Sequence, residues 1–449
     1  MASRLLAVFV AFVCWAPPVF GQGPPTASTG SHAHLHGTAA APDASMFPMR
    51  EGSGTSWVPE ETLMSGVARR WAGWDVMLHG VATFQFVFEP NDRHRTGGMD
   101  RIQPSSTNWF MAMARRPAGA GRVGLRAALS AEPWTVADCG FLNLLATGEM
   151  CDGDTIHDRQ HPHDLFMELA ADYDRALRGP LRWQVYAGLA GEPALGPSSF
   201  PHRPSAFGNP VAPITHHWLD SSHISFGLVT AGLYEPRWNA EISVFNGREP
   251  DQNRGDLDLA PLDSVSGRLS WMPTPRLVLQ ISGGHLNDAE AQFPPQTASD
   301  VTRTTTSATY HRLSRDGTFW ATTVAYGVNA GREFLPERAV DMTTHAVLLE
   351  SALTVAERHT WYGRAEVVGK PAHELHAHEL GAQVFTVAKV EGGYVRHFRA
   401  WRQILPSVGG FVSASVVPTA LAPRYSGRIS PGFGAFLELS PKRHSMMGE

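Results

Sequence analysis

Cysteine is nearly absent from this chain, with three in 449 residues, so neither a dense disulfide scaffold nor a Cys-x-x-Cys metal or redox motif is available. Charge of one sign is also lacking: 37 Lys and Arg stand against 42 Asp and Glu, a net charge of −5. No basic surface fit to track a phosphate backbone follows, and nucleic acid is excluded as a partner. After the first 21 residues no stretch stays apolar for the roughly 18 positions a membrane helix needs, which excludes a helical membrane protein. Charged residues make up only 18%, yet there are 43 Gly, 33 Pro and 13 Trp, a mixture unlike a helical bundle or a disordered chain.

The first 21 residues have an early Arg4 and an apolar run from Leu5 to Trp15, and read as a secretory signal cleaved before Gln22. Export places Cys139 and Cys151 in an oxidising compartment, where they either close one loop or stay as free thiols. Residues 22–70 form an N-terminal segment containing His, Pro and Met, partly disordered, of which the stretch Met46 to Arg70 is too short for a plug domain. Its latter part, Met46 to Arg70, is apolar enough to cap one opening of the fold or enter it.

From Trp74 onward the hydrophobic signal has a period of two. Trp74, Val76, Leu78, Ala82, Phe84, Phe86 and Phe88 share one face, with Asp75, His79, Thr83, Gln85 and Glu89 on the other, while Met77 and Val87 blur the contrast. The alternation returns at Val123, Leu125, Ala127 and Leu129, and again at Leu165, Met167, Leu169 and Tyr173. Strands are predicted at 74–88, 107–116, 121–133, 164–175, 181–192, 223–235, 238–247, 264–273, 276–286, 302–313, 317–328, 344–356, 359–370, 383–398, 406–417 and 428–440. Long and short connections take turns between them, from the long Pro90 to Ser106 and short Pro117 to Ala120 onward. Trp74, Trp109, Trp183, Trp218, Trp271, Trp361 and Trp401 fall near strand ends, as interfacial girdles would.

In this pattern residues 71–441 resemble the bacterial outer-membrane β-barrel class, followed by a polar tail at 442–449. The resemblance implies an all-β fold: a single closed antiparallel up-and-down transmembrane barrel of about 16 strands, with short periplasmic turns and long extracellular loops. It also implies the lipid bilayer of the outer membrane as surroundings and small solutes as passengers; metal ions as passengers rest on the placement of histidines alone. The predicted lumen-lining charges are Arg122, Arg126, Glu132, Glu168, Asp172, Arg182, Arg268, Arg364 and Glu366, mixed in sign and therefore not strongly ion-selective. Two loops of about 30 residues carry Leu144, Leu145, Phe200, Ile214 and Trp218, a composition suited to folding over or into the mouth.

Histidine is abundant, at 21 residues, and clustered. The first group is His32, His34 and His36; the second His157, His161 and His163 with Asp164; the third His202, His216, His217 and His223, with Asp220 nearby. Imidazole is a common ligand for copper and zinc, so these positions are the candidate metal ligands. Met46, Met49 and Met64 follow the first group, and thioether beside imidazole suits copper. His373-Glu374-Leu375-His376 is one residue short of a zinc-peptidase motif. No catalytic set is assigned. The leading expectation is a passive or metal-associated envelope channel; the alternatives are a non-conducting scaffold with an occluded lumen and a surface hydrolase using Ser221 and His223 on one strand face.

Overall fold

The computed structural model describes residues 46–89, 102–137, 140–147, 157–158, 162–251, 253–289, 300–335, 338–372, 374–375, 377–425 and 427–444. The signal segment, His32, His34, His36, Cys139, Cys151, His161, His373 and His376 lie outside the described residues, and for His157 only the backbone is described.

Sixteen antiparallel strands form the wall. They are β1 (Trp74–Phe88), β2 (Ile102–Ala118), β3 (Gly121–Leu129), β4 (Phe166–Arg178), β5 (Leu181–Ala190), β6 (Leu228–Glu235), β7 (Trp238–Phe245) and β8 (Ser264–Thr274). The second half comprises β9 (Leu277–Leu286), β10 (Val301–Leu313), β11 (Phe319–Leu335), β12 (Arg338–Val355), β13 (His359–Pro371), β14 (Val384–His397), β15 (Ile404–Val416) and β16 (Ile429–Pro441). Each pairs with its sequence neighbour, and β16 closes on β1 through Leu439 opposite Ala82 up to Phe433 opposite Phe88. Below that seam a short strand, Val67–Trp71, pairs with the start of β1, and Met64–Ser65 pairs with Arg443–His444 of the tail. Closure leaves the wall no long unpaired edge.

Several strand ends differ from those predicted. β3 stops at Leu129 because Pro133 sits in the first turn of a short helix, Glu132–Thr135, so Glu132 is not on a strand. β6 starts at Leu228, after Gly227 with φ +95°, and Ser221–His223 form a 3-10 turn instead of the start of a strand. β11 and β12 run on to Leu335 and from Arg338, where a loop is predicted. In β4 the pairing skips one residue: Ala128 faces Glu168 while Leu129 faces Phe166. That bulge turns Met167, predicted to face outward, into the interior at 4% exposure.

The outer face is apolar. Phe84, Phe86, Ile242, Val265, Leu269, Ile281, Val412 and Phe433 are all exposed. At the rim bearing the short turns, cross-strand aromatic pairs Tyr173–Trp183, Tyr310–Trp320 and Trp361–Tyr394 form a girdle with the exposed Trp71, Trp271 and Trp401. Trp109 and Trp218 do not belong to it. Trp109 points inward and Trp218 lies in a loop packed inside the barrel.

Candidate functional site

The lumen is filled from both ends. From the long-loop rim, residues 191–227 fold into the barrel, and their side chains are held by the inward residues of β10 to β13. Arg203 donates to Glu350 of β12 at 2.6 Å and to Asp220 within the loop at 2.8 Å. Glu350 also accepts from Arg364 of β13 at 2.8 Å, and Arg364 donates to the Val211 carbonyl at 2.7 Å. The Trp218 indole donates to Thr344 at 2.8 Å, and Thr215 donates to Glu366 through its backbone N–H and its hydroxyl. A Cβ added at Gly327 of β11 would meet the Trp218 carbonyl oxygen, so only glycine lets the loop approach this closely. Leu144 and Leu145 of the preceding long loop pack into the same core, and nearby Lys389 donates to Glu89 at 2.9 Å and to Asn143 at 3.0 Å.

From the short-turn rim enters the segment Met46 to Gly66. Glu51 accepts from Arg115 at 2.7 Å, Arg126 donates to the Gly54 carbonyl at 2.6 Å, and Ser53 exchanges hydrogen bonds with Ser198 and Ser199 of the loop. Farther round, Thr62 meets His311 at 2.7 Å and Glu61 accepts from Arg276 at 2.7 Å.

Each charge predicted to line the lumen now has a place. Arg122 and Arg182 both donate to Asp174. Arg126 lies among Glu168, Asp172 and Glu51 at 3.5 to 3.6 Å, and Arg268 pairs with Glu241 at 3.1 Å. Arg364 and Glu366 belong to the loop clamp. Glu132, off the wall, accepts from the Asn108 and His163 backbone N–H groups. Arg115, Arg203, Glu192 and Lys389 are buried partners that the alternation did not single out. Arg203 and Glu192 sit in a loop, where no period exists to flag them.

The loop histidines converge only in part. His163, His216 and His223 surround Phe200; the His216 and His223 ring centroids are 5.0 Å apart, and those of His163 and His223 are 5.5 Å apart. Each ring is fixed at Nδ1: His163 by Glu132 at 2.9 Å, His216 by Asp220 at 2.7 Å, His223 by the Asp220 carbonyl at 3.0 Å. Nε2 of His163 and of His223 is buried with no hydrogen-bond partner. Burial holds the His223 imidazole well below its ordinary pKa, keeping it neutral, the form that binds metals. Two predicted ligands have other partners: Asp164 faces Arg254 at 3.5 Å and His217 meets Glu249 at 3.0 Å. Among the described residues the His, Cys, Asp and Glu side chains whose ligand atoms all gather within 4.8 Å are Asp251, Asp256 and Asp258, in an outer loop. The histidines therefore stand near one another without forming a closed ligand shell. Ser221 accepts from Arg303 at 2.8 Å and makes no hydrogen bond with His223, so the pair suggested for hydrolysis is not assembled.

A cavity of about 180 Å³ remains between the two insertions. It follows the inner face of β1 and β2 from Met64 and Ser440 at the short-turn rim to His163 and Phe200 beneath the loops.

A charged, hydrogen-bonded interior inside an apolar exterior is the inverse of a soluble barrel. The chain is an outer-membrane β-barrel. Its short turns mark the periplasmic rim and its long loops the outer one. No family model matches the chain, and no curated protein does. Solved structures similar to it include the anion-selective porin from Comamonas acidovorans, 10% identical at a TM-score of 0.49 over 82% of this chain and 99% of that one. The outer membrane channel DcaP of Acinetobacter baumannii is 11% identical at 0.48 over 84% and 100%. Salmonella typhi OmpF in complex with daunomycin is 9% identical at 0.49 over 83% and 100%. The barrel assignment rests on this chain's own register and apolar exterior.

Proposed function

We propose that this outer-membrane barrel is a narrow channel for small solutes whose mouth handles a transition-metal ion, copper or zinc. The observation that carries the reading is the cavity along β1 and β2, which ends beneath loops bearing three imidazoles. Anchoring one ring nitrogen on a carboxylate or carbonyl, as at His163, His216 and His223, is the usual support for an imidazole that ligates through the other nitrogen. Closing a shell there requires the rings to turn toward a common point. The mixed, paired charges of the lumen support weak ion selectivity.

Planar-bilayer recording on the purified barrel tests the channel: discrete current steps are the expected result, and silence would leave the closed scaffold, a reading favoured by the Arg203–Glu350–Arg364 clamp. Zinc calorimetry tests the mouth. The variant His163→Ala/His216→Ala/His223→Ala is expected to bind at least about tenfold more weakly. Unchanged affinity and stoichiometry would remove the metal role.

A further inference from the structure

The inner face of β1 and β2 carries a group of donors that the loop histidines do not account for. Met77 of β1 stands opposite Met113 of β2, and one step along the same inward face His79 stands opposite Met111. Directly paired inward side chains have Cβ atoms about 5 Å apart, so three thioethers and one imidazole occupy a single four-residue patch. Met77, Met111 and Met113 are buried, at 6%, 6% and 8% exposure. The inserted loop brings a second imidazole over this patch: His202 lies 6.0 Å from His79 and 4.5 Å from Trp109 between ring centroids. All five residues line the cavity, as does Met64.

Two features point to a ligand. Nε2 of His79 is sealed from solvent and has no hydrogen-bond partner, a state that normally costs stability. The patch also has no charge of its own, since the neighbouring Arg115 and Arg126 are occupied by Glu51, Asp172 and Glu168. We propose that Met77, His79, Met111, Met113 and His202 form a binding site for a soft monovalent metal ion, Cu(I) or its analogue Ag(I), inside the lumen. Thioether and imidazole are the donors such an ion prefers. The five donors include no carboxylate, and Glu51 of the same cavity is held by Arg115. Such a donor set selects against divalent ions, because the cost of moving an ion out of water rises with the square of its charge while neutral donors return little of it. Packing alone would be served equally by leucine, which has the volume but not the sulfur. The site shares its cavity with His163, but none of its five donors is among His163, His216 and His223; it has in common with the proposed function only the class of cargo, and it stands whether or not the barrel conducts.

The test is titration of the full-length barrel in detergent, its free thiols alkylated, with Ag(I), and with Cu(I) against a chromophoric competitor. The variant Met77→Leu/Met111→Leu/Met113→Leu is expected to lose one bound ion, and His79→Ala/His202→Ala to weaken it by at least about tenfold. The variant His163→Ala/His216→Ala/His223→Ala is expected to retain it. Wild-type Ag(I) stoichiometry and affinity in the triple leucine variant would overturn the site. Should that variant fail to fold, X-ray absorption at the copper edge of the wild-type barrel loaded with one equivalent decides: sulfur scatterers support the site, and a shell of nitrogen and oxygen alone overturns it. Bilayer silence with Ag(I) binding intact would remove the channel and keep the site.

Discussion

The two sides of the lumen use opposite chemistry. Along β10 to β14 the inward residues include Arg303, Glu350, Arg364, Glu366, Lys370, Lys389 and Glu391, all buried and several tied to the inserted loops. Along β1 and β2 the corresponding level carries Met77, His79, Met111, Met113 and Trp109, and there a cavity persists. Buried charges must be compensated by partners in fixed geometry, so the charged wall grips the loop. Uncharged soft side chains impose no such demand, and space survives beside them. One wall is a clamp and the other is a lining.

The sharpest way to break that contrast is Arg203→Met. It leaves Glu350 and Asp220 each short of a buried cation, and removal of one partner of a buried pair costs about 3–5 kcal/mol. The loop 191–227 is expected to undock, read as new protease cleavage within it and as an increase in single-channel current. Gly327→Leu attacks the same docking sterically, forcing Trp218 away at a cost of about 1–3 kcal/mol. Cleavage confined to the loop, with the barrel intact, is expected. An unaltered digestion pattern in both variants would mean that the clamp is not what holds the loop.

On the other wall charged contacts also hold the N-terminal segment. Glu51→Gln weakens its tie to Arg115 and Arg126, but Arg115 keeps Asp172 at 2.9 Å, so the expected cost is smaller, about 1.5–2 kcal/mol. Faster proteolysis between Met46 and Gly66 checks it, with the loop 191–227 unaffected. Release of both segments together would show that the serine contacts joining them, Ser53 to Ser198 and Ser199, couple the two sides.

Much of the wall was legible because a strand with lipid on one side and water on the other must alternate, and the sixteen predicted strands correspond to the sixteen found. The interior was less so. Met77 and Val87 looked like noise in the period of β1, yet both are buried inward residues, and they mark where the lumen is not wet. Met167 was misplaced because a bulge shifts register without leaving a sign in composition. The loop clamp was beyond reach for a different reason: Arg203 meets Glu350 across 147 positions of chain, and no local pattern encodes such a pairing. Histidine density points to the mouth, but that Glu132 and Asp220 orient three of those rings emerges only from the folded geometry.

The smallest effect separates the clamp from its pH response. Glu192, at the root of the inserted loop, is pushed by burial from an ordinary 4.5 up to about 8, against the opposing pull of Arg268. Its docked form therefore holds a proton that the undocked form releases, so its contribution is full below pH 4.5 and is lost as pH rises through 8. The buried His202, held at about 3, and the lowered His223 act with the opposite sign, adding stability as pH rises toward 6.5 and nothing beyond it. Above 6.5 the carboxyl is the one of these three groups that still acts. Loop protection against protease is expected to decline between pH 6.5 and 8 by on the order of 1 kcal/mol, below the limiting slope of about 1.4 kcal/mol per pH unit. Glu192→Gln should flatten that decline while leaving the acid limb in place. A variant whose profile matched wild type above 6.5 would assign the pH response to some other group on the charged wall.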